Sequence, residues 1–419
     1  MFLKINKSLI HAATRTLAVF AIAIVGTATS GWATEKPLFQ FTGGNGSGPA
    51  GPLVFDGAGS LYGTTVGGGP GNLGVVFKLT PTLSGRWEEQ VLHFFKGGSD
   101  GAFPTPGLVF DGQGNLYGTT KGGGGNAECY GGCGTVFKLA PNASGEWGES
   151  ILCRFTNRLE AAYPAAGLIF DAQGNLYGTT GPGGGLGDRG TVFKLAPTSS
   201  GPWTETVLHA FDGVNGDGNS PLAPVVFDAA GNLYGTTYIG AEGGGIVFKL
   251  TPTLKGMWVE SIIHTFGNGD GVGPTAGLVF DSQGNLYGTT VGGGSAAQGT
   301  VFELMPGASG TWTENILYSF QGGTDGAGPT ATVILDAAGD LYGTTKFGGG
   351  NCNCGTVFKL APSGTGTWTE TVLTVFTSQA SSGEPIGGLI FDASGNLYGT
   401  TFMNGNGNTA SGQVFMVTP

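Results

Sequence analysis

The chain carries little charge. Lys, Arg, Asp and Glu make up only 11% of its 419 residues, and the balance is acidic, 28 carboxylates against 17 basic side chains. A chain without a basic excess argues against nucleic-acid binding through phosphates and against electrostatic anchoring on anionic lipid. No GxSxG elbow is present, and the glycine runs are not followed by a Walker Lys-Ser/Thr and a helix. Serine-hydrolase and phosphate-loop chemistry are therefore not indicated. Beyond the N-terminal region no long apolar stretch and no convincing helical period occur. What is abundant is glycine, 85 residues or about one in five, where average usage is near 7%. Glycine does not fall at every third position, which excludes collagen. With 27 Phe, 11 Tyr and 7 Trp the composition is not that of a disordered chain.

The first 34 residues contain no acid. Lys4, Lys7 and Arg15 precede an apolar run of twelve, Leu17 to Ala28, and then small residues up to Ala33. A bilayer span needs about 20 apolar residues, so residues 1–33 read as a secretory signal peptide, with an uncleaved anchor as the alternative. Cleavage would leave 14 basic residues against 28 acids. Export to the cell surface, the periplasm or the medium is the expected localisation, with no membrane span in the mature chain. In such an oxidising compartment Cys129 with Cys133, and Cys352 with Cys354, are candidate local disulfides. The alternative is free thiols. A zinc site would need two distant loops to meet without any CxxC spacing, and no metal ligand is assigned.

The dominant feature is a repeat. The string FDxxGNLYGTT recurs, with small variations, seven times. Its aspartates are Asp56, Asp111, Asp171, Asp228, Asp281, Asp336 and Asp392, and a proline stands seven residues before each. Each unit of about 56 residues reads as four short strands. These are GLVFD (107–111), NLYGTT (115–120), GTVFKL (134–139) and a Trp-initiated alternating segment such as 203–211, rich in β-formers. Asp at the start of the DxxGN turn can bond backbone amides ahead of it, and Gly supplies positive φ, so the repeated Asp is most simply a hairpin residue.

Seven four-stranded antiparallel units indicate an all-β fold, a seven-bladed β-propeller over residues 34–419. The seventh unit stops at its third strand, while residues 37–41 (PLFQF) match the end of a fourth. The ring is expected to close by pairing them, which removes the open edges of an array. GLVFDGQGNLYGTTKGGG followed by GTVFKLAP resembles the GloVer tandem-repeat family, over essentially the whole mature chain. The resemblance implies an exported bacterial repeat protein of unassigned activity.

Loops between the second and third strands should share a face with the blade-joining loops, opposite the uniform hairpins. On that face the blade-joining loops carry a partial acidic ring, Asp100, Glu160, Asp217, Asp270 and Asp325, with Asn45 and Ser381 in the other copies. These are either oxygen ligands for Ca²⁺ or for sugar hydroxyls, or Asp-Gly turns repeated with the blade. The turn reading is preferred, since no copy holds a full calcium-loop pattern and only NGDGNS (215–220) approaches one. No other cofactor is expected.

Residues unique to single loops are further binding candidates. They are Lys121, Glu128 and Tyr130, Asp188 and Arg189, Tyr238 and Glu242, and Phe402, Met403, Asn404 and Asn406. His93, His209 and His264 share one place in the outermost strand and are read as packed strand residues that do not converge. The Trp and Tyr of the repeat are read as inter-blade packing. The leading functional expectation is a non-enzymatic binding or scaffold module with a polysaccharide or a surface protein as partner and an open oligomeric state. The alternative is a secreted carbohydrate-active enzyme, glycosidase or lyase. It would need a carboxylate pair about 5–9.5 Å apart at the axial mouth, for which Glu128, Asp188 and Glu242 are the candidates.

Overall fold

The computed structural model describes residues 33–419 apart from 34, 126–127, 157–160, 183–185, 200, 241–242, 268, 365, 378–382 and 403–411. The leader, Glu160, Glu242, Ser381 and residues 403–406 thus lie outside the described residues. Ala33–Pro419 forms one compact unit, and it is a propeller of seven antiparallel blades. In blade 3 the inner strand is Ile169–Phe170, the second Leu176–Thr180, the third Thr191–Ala196 and the outer Thr204–Ala210. The inner strand is shorter than the expected GLVFD because only two residues pair across the hairpin. Blade 7 is completed by the chain's first strand. Glu35–Gln40 pairs with Gln413–Val417, and the Gln413 amide donates to Glu35 at 2.6 Å.

Each letter of LYGTT has a distinct physical task. Its Leu is fully buried in every blade. Its Tyr hydroxyl donates to the hairpin Asp, as Tyr177 does to Asp171 at 3.0 Å. The other Asp171 oxygen accepts the amides of Gln173 and Asn175. Its Gly lies beneath a third-strand Phe. A methyl group on Gly288 would stand 2.5 Å from Phe302 Cζ. Its first Thr donates to the backbone of the next blade, as Thr179 does to the Ala223 carbonyl. Thr400 does the same to Gly51 at 3.1 Å and so closes the ring. Its second Thr ties down the following loop, as Thr237 does at the Ile239 carbonyl.

Aromatic contacts complete the blade interfaces. The Phe just after each outer strand packs against the third-strand Phe of the next blade, tilted for Phe266 on Phe302 and edge-on for Phe376 on Phe415. The repeat Tyr meets the Trp that opens or precedes the next outer strand, as Tyr234 meets Trp312. Burying such rings contributes about 0.5–1.5 kcal/mol per pair beyond their area. The core is therefore distributed as separate clusters between neighbouring blades.

Candidate functional site

Two features of the fold bring chemistry-bearing residues together. The first is the loop-face end of the axial channel. The channel has a volume of about 380 Å³ and is walled by small residues such as Ala166, Gly167, Ala276 and Gly277, with threonine hydroxyls between them. No titratable side chain lines it among the described residues. Glu128 and Asp188 are not in its wall, and Glu242 lies outside the described residues.

Around its mouth two sets of seven positions interleave. One precedes the repeat proline: Gly48, Phe103, Tyr163, Ser220, Gly273, Gly328 and Glu384. All seven have positive φ, between 56° and 69°. Four of them are not glycine, and for a bulky Phe or Tyr that conformation is an outlier. The other set follows LYGTT: Val66, Lys121, Gly181, Tyr238, Val291, Lys346 and Phe402. Where the first set is glycine, an aromatic ring from nearby fills the space. Phe402 lies over Gly48, Tyr238 over Gly273 and Phe347 over Gly328.

Five blades thus carry a ring at or beside these positions, Phe402, Phe103, Tyr163, Tyr238 and Phe347, and Phe103 and Tyr163 line a pocket beside the channel. Phe103, Tyr238 and Phe347 keep 44%, 41% and 38% of their surface exposed. Lys121 stands with Phe103 and Tyr163 at a pocket that opens beside the channel. Lys346 pairs with Glu384 at 3.6 Å and lies over the Phe347 ring. The sequence reading named Lys121, Tyr238 and Phe402 but missed Phe103 and Tyr163. Their signal was a bulky residue before the repeat proline, where other copies have glycine.

The second feature lies at the blade interfaces. The four described acidic loop residues, Asp100, Asp217, Asp270 and Asp325, do not meet each other. Each instead closes a turn and faces the outer strands. Asp100 accepts the amides of Lys96 and Gly101, Asp217 those of Asp212 and Gly218, Asp270 that of Gly267 and Asp325 that of Gln321. At three interfaces a histidine of one outer strand and a glutamate of the next join the aspartate. The groups are His93, Asp100 and Glu149; His209, Asp217 and Glu260; and His264, Asp270 and Glu314.

Sequence reasoning missed these glutamates, which stand two residues after each outer-strand Trp. Their six-fold repetition after Trp was legible, but their meeting with the loop acid of the preceding blade joint was not. Burial, and then the neighbouring Asp100, push Glu149 up to about 8. Burial and Asp270 do the same to Glu314. Burial pushes Glu260 up to about 7, with His209 opposing and Asp217 adding to it. Burial holds His93 and His264 below the ordinary imidazole value against the pull of their aspartates. At His209 burial is outweighed by Asp217, Glu260 and Asp212, and its value is raised.

The remaining candidates are peripheral. Tyr130 is fully exposed at a loop tip, near Glu128. Asp188 closes a single 3₁₀ turn. The following Arg189 donates to the Asp212 carbonyl. The Cα atoms of Cys129 and Cys133 are 5.1 Å apart, and those of Cys352 and Cys354 5.2 Å, separations that a disulfide spans. Cys153 donates toward Glu205, and burial pushes its thiol up. No helix among the described residues is long and apolar enough to cross a membrane.

A family model described as the Gloeobacter/Verrucomicrobia repeat matches residues 18–244 and 224–419. No curated protein matches the chain. Among solved structures it is similar to virginiamycin B lyase from Staphylococcus aureus. The TM-score is 0.53 at 13% identity, over 92% of this chain and 99% of that one. It is also similar to PorZ, a surface component of the type-IX secretion system of Porphyromonas gingivalis. There the TM-score is 0.49 at 17% identity, over 87% of this chain and 46% of that one. At such identities the likeness shows the fold alone.

Proposed function

The chain belongs to the Gloeobacter/Verrucomicrobia repeat family, and from that premise we propose that it is an exported, non-enzymatic propeller that binds polysaccharide at the loop-face mouth of its channel. The observation that carries the reading is the set of part-exposed rings, Phe103, Tyr163, Tyr238, Phe347 and Phe402, at equivalent or adjacent repeat positions of five blades. Sugar rings stack on aromatic faces, and Lys121, Lys346 and Glu384 at the same rim can hydrogen-bond hydroxyls or pair with uronate groups. Holding Phe103 and Tyr163 at positive φ costs about 1–3 kcal/mol each, which is consistent with a site that needs them there. The acidic leader-free chain, the leader itself and two cysteine pairs spaced for disulfides fit a protein of the cell exterior.

The test is a set of melting curves of the purified protein against soluble polysaccharides, neutral and uronate-bearing, with and without Ca²⁺. A ligand that binds only the folded state raises Tm by mass action. A rise with one glycan class supports the reading. No rise with any glycan, together with capture of a surface protein through the same mouth, would replace polysaccharide by a protein segment as the partner. Turnover of a glycan would overturn the non-enzymatic part.

A further inference from the structure

We propose that the three His–Asp–Glu groups between outer strands are binding sites for a divalent transition-metal ion of the zinc class, each clamping two neighbouring blades. The observations are independent of the channel mouth. In each group the histidine Nε2 lies 3.2 or 3.3 Å from an aspartate oxygen and 3.5 or 3.6 Å from a glutamate oxygen. An ion with ligands at 2.0–2.1 Å in tetrahedral array separates its ligand atoms by about 3.3 Å. The imidazole therefore stands at about that separation from both carboxylates, and all three donor atoms of each group lie within 4.8 Å of one another. A calcium ion would need six to eight oxygens at longer range, and one imidazole with two carboxylates does not offer them.

The same groups are poorly satisfied without a cation. The Oε1 atoms of Glu149, Glu260 and Glu314 are closed off from solvent, and each faces only its own cluster, with the histidine Nε2 at 3.5 or 3.6 Å. Buried polar atoms in native proteins are nearly always partnered, so such atoms pointing into one cluster call for an occupant. A closed-off Oε1 also occurs at Glu89 and Glu370, where no histidine is present, so it is the imidazole that sets the three groups apart. At one interface the Asn45 amide donates to Glu89 at 2.6 Å, at another the Gln413 amide donates to Glu35, and Tyr318 donates to Asp325. Of these donors only Tyr318 stands at the histidine's own place in the repeat; at three interfaces that place holds an imidazole, a metal-type ligand.

The surroundings rank the three sites. Asp212 adds negative charge at the second group, acting on both His209 and Glu260. Lys96 and Arg154 oppose a cation at the first, where both act on Glu149. The second site should bind most tightly and the first most weakly.

The experiment is equilibrium dialysis of the untagged full chain, stripped with chelator, against Zn²⁺ at neutral pH, with metal analysis and melting curves. The expected result is three Zn²⁺ per chain and a rise in Tm. His93→Tyr, His209→Tyr and His264→Tyr should each remove one equivalent, and the triple variant all three with the Tm rise. Tyrosine already occupies this place at Tyr318, so these variants keep a side chain that the fold accepts. Glu260→Gln should remove the tightest equivalent while leaving the histidine in place. Unchanged stoichiometry in the folded triple variant would overturn the assignment, as would no bound zinc in the wild type.

Discussion

Substituting Gly288 by Ala tests the packing rule that the repeat imposes. Gly288 lies in the second strand with its Cα under the ring of Phe302. An added methyl would stand 2.5 Å from Phe302 Cζ and 2.9 Å from Leu278 Cδ2. Ordinary carbon contacts need about 3.5–4.0 Å, so the ring must retreat by about 1 Å. Phe302 is fully buried and braced by Phe266, and forcing a well-packed core to move costs about 1–3 kcal/mol. Phe302→Leu removes the Cζ atom and leaves a cavity, with a cost of about 1–3 kcal/mol of its own. In the double variant the methyl enters space that the ring has left. Denaturant titrations of the four proteins should show the double variant less destabilised than the sum of the singles, by about 1 kcal/mol or more. Additive losses would refute the reasoning, because residues in direct steric conflict must couple.

Other outcomes follow from the same geometry. Asp171→Ala removes the acceptor of four hydrogen bonds, from Gln173, Asn175 backbone and side chain, and Tyr177. It should cost about 2–4 kcal/mol at about 0.5–1 each, read by denaturant titration, and a loss below about 0.5 kcal/mol would contradict the hairpin role. The pH profile has two limbs. Burial, with Asp325 adding at Glu370, raises Glu89 and Glu370 from 4.5 to about 7. The folded state then holds protons that the unfolded state has lost, so this stabilisation is complete below about pH 4.5 and fades as pH rises toward 7. Asp171 and Asp228 are shifted the other way. Burial opposes the shift, but hydrogen bonds led by Asn175 and Asn232 hold them below 3.8, so their contribution is lost in stronger acid. With chelator present, Tm should fall from pH 5 to pH 8, and Glu89→Gln with Glu370→Gln should flatten that fall. An unchanged slope in the double variant would contradict it.

The repeat made the fold legible because each blade solves the same packing problem. Seven registers of Asp, Tyr, Gly and Thr gave strand order, hairpin and even the split seventh blade, since a missing fourth strand at one end and a spare one at the other had a single economical solution. The aromatic interfaces were legible for the same reason. The candidate site was not, because it depends on departures from the repeat. Phe103 and Tyr163 stand where glycine would be unstrained, and their importance shows only when the closed ring brings five such blades together. The interface groups were half legible. His93, His209, His264 and the loop acids were seen as repeated positions, but Glu149, Glu260 and Glu314 reach them from the next blade, a juxtaposition set by ring closure rather than by sequence spacing.

The most direct test of the mouth as the binding site is calorimetric titration of the best glycan into variants of its rim. Phe103→Ala and Tyr238→Ala should each weaken binding by about 5–30-fold, the equivalent of about 1–2 kcal/mol for a lost stacking ring. Tyr130→Ala, a fully exposed ring on a loop tip, should leave it unchanged. Equal affinities in all three variants would contradict the account, and so would a loss confined to Tyr130→Ala.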